Sequence, residues 1–271
     1  MLEVRSQEPP EIDPNSFQEP FTPEQMEQYL LMVYHQAVTT NSLSIEYHMT
    51  VGKVFEGAIL TGLGGSPQDY DLFAVYQKLR TNVYVFSAAK QYQQVRTMSK
   101  FIEKNGVRST WKDFKEQAEE VFGEYNKNYL RAEYITAVGQ SQMAEEWVNA
   151  VQQEDILPML EYRTQRDARV RDEHAALDGI TLPINHKFWN TYMPKNGWRC
   201  RCFTVQREAM PSTDLKSRDL SDLDDEKKFP KVFRMNPGKD GLIFNPAFHP
   251  YFKVAPGDAN LRANNFNMPL P

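Results

Sequence analysis

A chain of 271 residues and 31.5 kDa is long enough for one large domain or two unequal ones. With 41% hydrophobic and 25% charged residues it reads as an ordinary folded protein, and a net charge of −5 excludes a generally basic nucleic-acid binder. No run approaches the roughly 18 apolar residues of a membrane span, and "MLEVRSQEPPEIDPNSFQEP" lacks the basic and apolar stretches of a signal peptide, so neither a span nor export is expected.

Residues 1–20 read as an extended Pro/Glu-rich arm. In "FTPEQMEQYLLMVYHQA", Thr22 suits a helix cap, Pro23 the first helical position and Gln25 a capping box, ahead of Met26, Tyr29, Leu30, Val33 and Ala37 at helical spacing. A second helix over 44–60 stops at the cluster of Gly62, Gly64 and Gly65. From Asp69 to about Val151 the pattern is helical almost throughout, with Ser87 and Thr110 as caps, Gly106 as a stop and a break near Gly123–Asn126. The stripe Phe114, Val121, Phe122, Tyr125 and Tyr129 reads as helix core, since it lacks the interleaved basic residues of a base-stacking surface. His35 and His48 read as core-edge packing.

Composition changes at Pro158. Beyond it stand "MLEYRT" as a strand, "RDEHAALDG" as a short helix stopped by Gly179, "PKNG" as a tight turn and "WRCRCFTVQ" as a strand. "STDLKSRDLSDLDDEKK" reads as a solvated, mobile linker, "FHPYF" with His249 as an apolar plug, and "DANLRANNFNMPLP" as too poor in apolar residues to fold alone. The expected fold is α+β: an arm over 1–20, a helix-rich domain over 21–155, a smaller α+β domain over 156–208, and a linker with an extended C-terminal segment over 209–271.

Both cysteines of the chain lie two residues apart, too close for an unstrained disulfide, so reduced thiols are expected. On a strand Cys200 and Cys202 face the same way, and on a helix His174 and Asp178 share a face. Together they offer a tetrahedral zinc set, with His186 as the alternative to Asp178 for the fourth ligand. Two other readings stand beside it. In one, inert cysteines pack around Trp198 while His174 satisfies a backbone carbonyl. In the other, His174 serves as base to a thiol flanked by Arg199 and Arg201, although on a strand those arginines point away from the thiols. No nucleophile elbow, phosphate-cradling loop or helical H-E-x-x-H accompanies the group.

Residues 161–207 carry nine Lys and Arg against five Asp and Glu. Arg163, Arg169 and Arg171 would share one strand face, a weak candidate for nucleic acid, because Asp167, Asp172 and Glu173 offer local partners.

The stretch "YRTQRDARVRDEHAALDGITLPINHKFWNTYMPKNGWRCRC" resembles the core motif of the phage minor head protein family typified by protein F of phage Mu. The matching residues are Thr164, Asp167, Arg169, Arg171, His174, Leu177, Asp178, Gly179, Phe188, Trp189, Pro194, Asn196, Gly197, Trp198, Cys200 and Cys202. The resemblance implies a structural virion component, made in the host cytoplasm and placed in the head. Its implied partners are the portal protein and capsid subunits, with packaged DNA a weak neighbour. It implies no established catalysis. The alternative is an enzyme, either a metal-dependent hydrolase or a Cys–His nucleophile, built on His174, Cys200 and Cys202.

Overall fold

In the computed structural model the first helix, α1 (Pro23–Tyr34), forms where its end signals direct. Thr22 Oγ1 accepts from Gln25 N at 3.2 Å while Thr22 N donates to Gln25 Oε1 at 2.9 Å, which satisfies two N-terminal donors reciprocally. The structure describes residues 17–271, so most of the expected arm lies outside the described residues. Its end, residues 17–20, is extended but held: the Phe17 ring meets Tyr134 at 5.7 Å and Glu19 pairs with Lys127 at 3.1 Å.

The helices that follow are longer than the sequence suggests. After α2 (Ile45–Gly62), α3 (Tyr70–Met98) runs unbroken for 29 residues through Ser87, which was expected to be a cap. The Ser87 hydroxyl is buried and donates to His48 O at 2.9 Å. Gly106 stops no helix either. With Asn105 it forms the two-residue turn joining β1 (Glu103–Lys104) to β2 (Val107–Arg108), both residues at positive φ (55° and 78°), as a twisted hairpin requires. The helix α4 (Trp111–Gly123) begins at the expected cap, Thr110. In place of the expected break, the chain widens into a π-helical stretch over Glu124–Tyr129 and continues as α5 (Leu130–Gln152). Asn126 within that stretch is buried; it donates to Phe122 O at 2.9 Å and accepts from the Tyr47 hydroxyl at 2.6 Å.

Among the described residues the chain divides into two compact units, each discontinuous in sequence, whereas the change of composition at Pro158 suggests sequential domains. One comprises residues 17–57, Arg80–Tyr134 and Pro246–Pro271. Its core is aromatic: Tyr29 stacks on Tyr47 at 4.8 Å, Phe21 on Tyr47 at 5.1 Å, and Phe55 meets Phe86 edge-on at 5.5 Å. His48 is fully buried there, with Nε2 2.9 Å from Pro269 O. The plug holds as expected, His249 lying edge-on to Phe86 and Tyr251. The C-terminal segment is not merely extended. It folds through a short helix at Ala259–Ala263, and Phe266, 1% exposed, packs on Tyr92. One large ring buried at the right register outweighs a polar composition.

The other unit comprises Ala58–Leu79 and Ile135–Asn245. Here β3 (Met159–Arg163) is the central strand of an antiparallel sheet in the order β4-β3-β5, with β4 at Thr181–Pro183 and β5 at Phe203–Arg207. Leu160 and Tyr162 on one face of β3 join Met143, Leu177, Ile180, Trp189, Met193 and Phe229 in the core. The expected mobile linker is instead a series of short turns, pinned to this core by Leu215, Leu220 and Leu223. Arg234 fastens it further, donating to Phe229 O at 3.0 Å and Leu223 O at 2.9 Å. No helix among the described residues is long and apolar enough to cross a membrane.

Close helix packing in this unit depends on Gly62, where an added Cβ would lie 2.3 Å from Val138 O and 2.6 Å from Ser141 Cβ. Backbone on one side leaves nothing flexible to move. Gly62→Ala is expected to cost about 1–3 kcal/mol through overpacking, read as a lower urea midpoint with unchanged slope.

Candidate metal centre

Two segments of one unit bring His174, Cys200 and Cys202 together. His174 sits in α6 (Asp172–Ala175), a single turn entered through extended Arg171. The cysteines lie just before β5, not within a strand as expected, after a turn closed by Cys200 N donating to Gly197 O at 3.1 Å. Their side chains nevertheless face the same way. Arg201 between them is drawn to the opposite side by a bidentate pair with Asp167, at 2.7 and 2.8 Å. That pair holds the Asp167 carboxyl down at about 2.

The three residues are 2%, 8% and 3% exposed, and one ligand atom from each lies within 4.8 Å of the others. His174 Nδ1 is 3.5 Å from both sulfurs. A tetrahedral zinc with bonds of roughly 2.3 Å to sulfur and 2.05 Å to nitrogen separates N and S by about 3.5 Å, so the donor spacing fits the ion. Burial raises both thiols; against it, Cys202 and His174 hold Cys200 well below its ordinary value, while Cys200 pushes Cys202 up. One sulfur of the pair therefore ionises far more readily than the other, as expected where two acids share a site. His174 Nε2 is buried with no hydrogen-bond partner.

The expected fourth ligands stay outside the group. Asp178 Oδ1 accepts from Thr164 N at 2.8 Å and Thr164 Oγ1 at 3.1 Å, and Oδ2 from Arg166 Nε at 2.9 Å. The helix of His174 ends too early to stack Asp178 beneath it, and the carboxylate turns to brace the Thr164 loop. His186 Nδ1 accepts from Phe188 N at 3.2 Å, capping the turn into α7 (Trp189–Tyr192).

Other residues complete the surroundings. The Phe229 ring lies 5.2 Å from the His174 ring. Lys195, 5% exposed, donates from Nζ to Cys202 O at 3.0 Å, and its backbone is held by Gln140 of α5. Tyr162 donates to Asn196 Oδ1 at 3.0 Å. None of these was singled out from the sequence as part of the site, although "PKNG" placed Lys195 and Asn196 in a turn beside the cysteines. A buried lysine carries no local sequence signal.

Glu146 of α5 accepts from Thr204 Oγ1 at 3.0 Å, and burial pushes its carboxyl up to about 7 against the opposing Lys195 charge. A carboxyl raised in the folded state retains protons that the unfolded chain releases, so its penalty is absent below about pH 4.5 and grows as pH rises through about 7. Glu146→Gln should therefore lose less Tm than the parent between about pH 5 and pH 8, measured by thermal melts at constant ionic strength.

The arginines form an internal network. Arg163 and Arg207 share Glu161 at 2.6 and 2.7 Å, Arg169 lies 3.7 Å from Asp167, and Arg171 Nη2 donates to Trp198 O at 2.7 Å.

Residues 89–205 match the family model described as Phage Mu protein F like protein. The putative capsid assembly protein F of Escherichia phage Mu is 42% identical over 48 residues, 18% of this chain and 11% of that protein. The Mu-like prophage FluMu F protein of Haemophilus influenzae is 32% identical over 94 residues, 35% of this chain and 21% of that protein. The matches thus span about a tenth and a fifth of those relatives' lengths. No solved structure matches. The matching stretch holds His174, Cys200 and Cys202 together with the Gln140 and Lys195 that brace them, and over it the chain is similar to the phage Mu protein F-like family.

Proposed function

We propose that this chain acts in phage head assembly as a structural, non-enzymatic component at the portal vertex, and that zinc held by His174, Cys200 and Cys202 staples the unit that carries them. The observation that carries this reading is the donor triangle itself, buried inside the family-matching stretch with His174 Nδ1 3.5 Å from each sulfur. Burial of all three ligands supports stapling over turnover, since a substrate needs access that 2–8% exposure denies. The relative named as a capsid assembly protein supports the setting.

Co-expression with the portal protein of the same genome, followed by affinity capture of the portal, tests the role. Stoichiometric recovery of this chain is the expected result, and its absence under conditions where the portal ring forms would sink the portal assignment. The engaged arginines leave duplex DNA as a weak, strongly salt-dependent neighbour. Sub-micromolar binding that persists at about 200 mM salt would contradict that.

A further inference from the structure

We propose that this chain associates head to tail with copies of itself, the apolar, acid-rimmed end of one copy seating on the arginine-rich end of the next. The inference concerns the unit that carries β3 and does not rest on the metal reading.

Two helix ends build the apolar surface. Gln152, last in α5, donates from Nε2 to Asp69 Oδ1 at 3.1 Å and to Asp71 Oδ2 at 3.3 Å, so the end of α5 lies against the start of α3. Around that junction Tyr70 is 84% and Ile156 75% exposed, and Val151 and Phe73, the latter one helical turn from Tyr70, are exposed as well. Leu72 and Val75 are buried, so α3 packs into the core without using these rings. Large apolar side chains gathered at one place mark an association surface, whereas scattered ones do not.

Charge selects what can cover it. Asp69, Asp71, Glu154 and Asp155 border the apolar residues, and neither 66–77 nor 148–160 contains a Lys or Arg. Two copies meeting through this same surface would set carboxylates against carboxylates. The surface that complements it is therefore a different one, and basic.

The other end of the sheet offers that surface. From Met159, close to Ile156, β3 runs to Arg163, which pairs with Phe203 of β5. Beyond that pair lie the loop 164–171 and the turn 197–201, so the two surfaces stand at opposite ends of one strand. The Arg169 side chain is 74% exposed and comes no nearer than 3.7 Å to Asp167, whose carboxylate Arg201 already holds through two bonds. Arg171 and Arg199 are exposed too, and beside them Trp198 is exposed and braced edge-on by Phe233 at 5.1 Å. Trp and Arg are the residues that most often anchor interfaces. Each copy that docks leaves one end of each kind open, so association continues until it closes into a ring or grows as a filament.

The test is sedimentation velocity of the full chain from about 5 to about 500 μM, at about 50 and about 500 mM salt, since small charged interfaces are weak and screened. The average mass should rise with concentration past that of a dimer, and the higher salt should weaken association roughly tenfold. Arg169→Glu with Arg199→Glu, and separately Glu154→Lys with Asp155→Lys, should each weaken it at least about tenfold. An equal mixture of those two variants should form one-to-one pairs, through the one intact end that each retains. Tyr70→Ser with Ile156→Ser should also weaken association while leaving Tm unchanged, because exposed side chains contribute little to folding. An unchanged sedimentation coefficient up to the highest concentration would overturn the inference and leave the apolar end to a different protein. So would a mass that stops at the dimer, association that survives both charge reversals, or a mixture no more associated than its parts. Arg199 adjoins Cys200, so if that variant fails to fold, Arg169→Glu alone carries the arginine arm of the test.

Discussion

Cys202→Ser protein should be purified without zinc and should melt roughly 8–16 °C below the parent. A ligand that binds only the folded state at about a thousand times its Kd contributes about 4 kcal/mol, and one kcal/mol moves Tm by about 2–4 °C in a chain of this size. The loss should fall on the unit whose core includes Tyr162, Trp189 and Phe229, because the ligands sit among those side chains. Helical circular dichroism from the other unit should survive the first transition. A strong chelator should lower the parent Tm by a similar amount and leave the variant unmoved. Less than about a tenth of an equivalent of metal in parent protein prepared without chelator would instead favour hydrogen-bonded thiols.

The second large effect lies in the aromatic unit. Lys90 Nζ meets Glu133 Oε2 at 2.7 Å with the two side chains 0% and 3% exposed. The Tyr251 hydroxyl donates to the other carboxylate oxygen at 2.8 Å, and the rings of Tyr125 and Tyr251 lie 5.4 and 5.3 Å from the ammonium. Burial pushes Lys90 down, and the Glu133 carboxylate beside it opposes that shift. Glu133→Ala should cost about 3–5 kcal/mol, since it strands a buried ammonium. Lys90→Met combined with Glu133→Leu should recover most of that loss, because apolar replacement of both partners removes the desolvation penalty as well as the attraction. Urea unfolding of Lys90→Met, Glu133→Leu and the variant that combines them measures the coupling. Equal destabilisation by Glu133→Ala and by the double variant would show that the pair is unimportant.

How far the sequence reveals this molecule depends on the range of the interaction. Thr22, Pro23 and Gln25 satisfy one another within four residues, so α1 could be read directly. Ser87 carries the same chemistry as a cap, but its partner is His48, 39 positions away, and the hydroxyl alone does not distinguish the two uses. Asn105–Gly106 suits a two-residue hairpin turn as well as a helix stop, and only the pairing of β1 with β2 selects between them. In the acidic linker, Leu215, Leu220 and Leu223 were the signal, masked by the charges around them. The site divides in the same way. His174, Cys200 and Cys202 announce themselves by type and spacing, whereas Asp178 has the right type and position and is claimed by Thr164 and Arg166 through a loop no local pattern specifies. Lys90, Glu133 and Lys195 look like surface residues in any local window, and only the assembled core shows otherwise.

The interleaving of the two units sets an order of events at the ribosome. Residues 80–134, with Phe86, Lys90 and Glu133, emerge early, but Tyr251, Phe252 and Phe266, which pack in the same unit, follow only after residues 135–245 have been made. At ordinary elongation rates that interval is on the order of ten seconds, long against the folding of local helices. Throughout it Phe86 and Glu133 lack the Tyr251 and Phe252 side chains that pack on them in the folded protein. A chaperone, a protease or a neighbouring nascent chain would meet the protein in that form first.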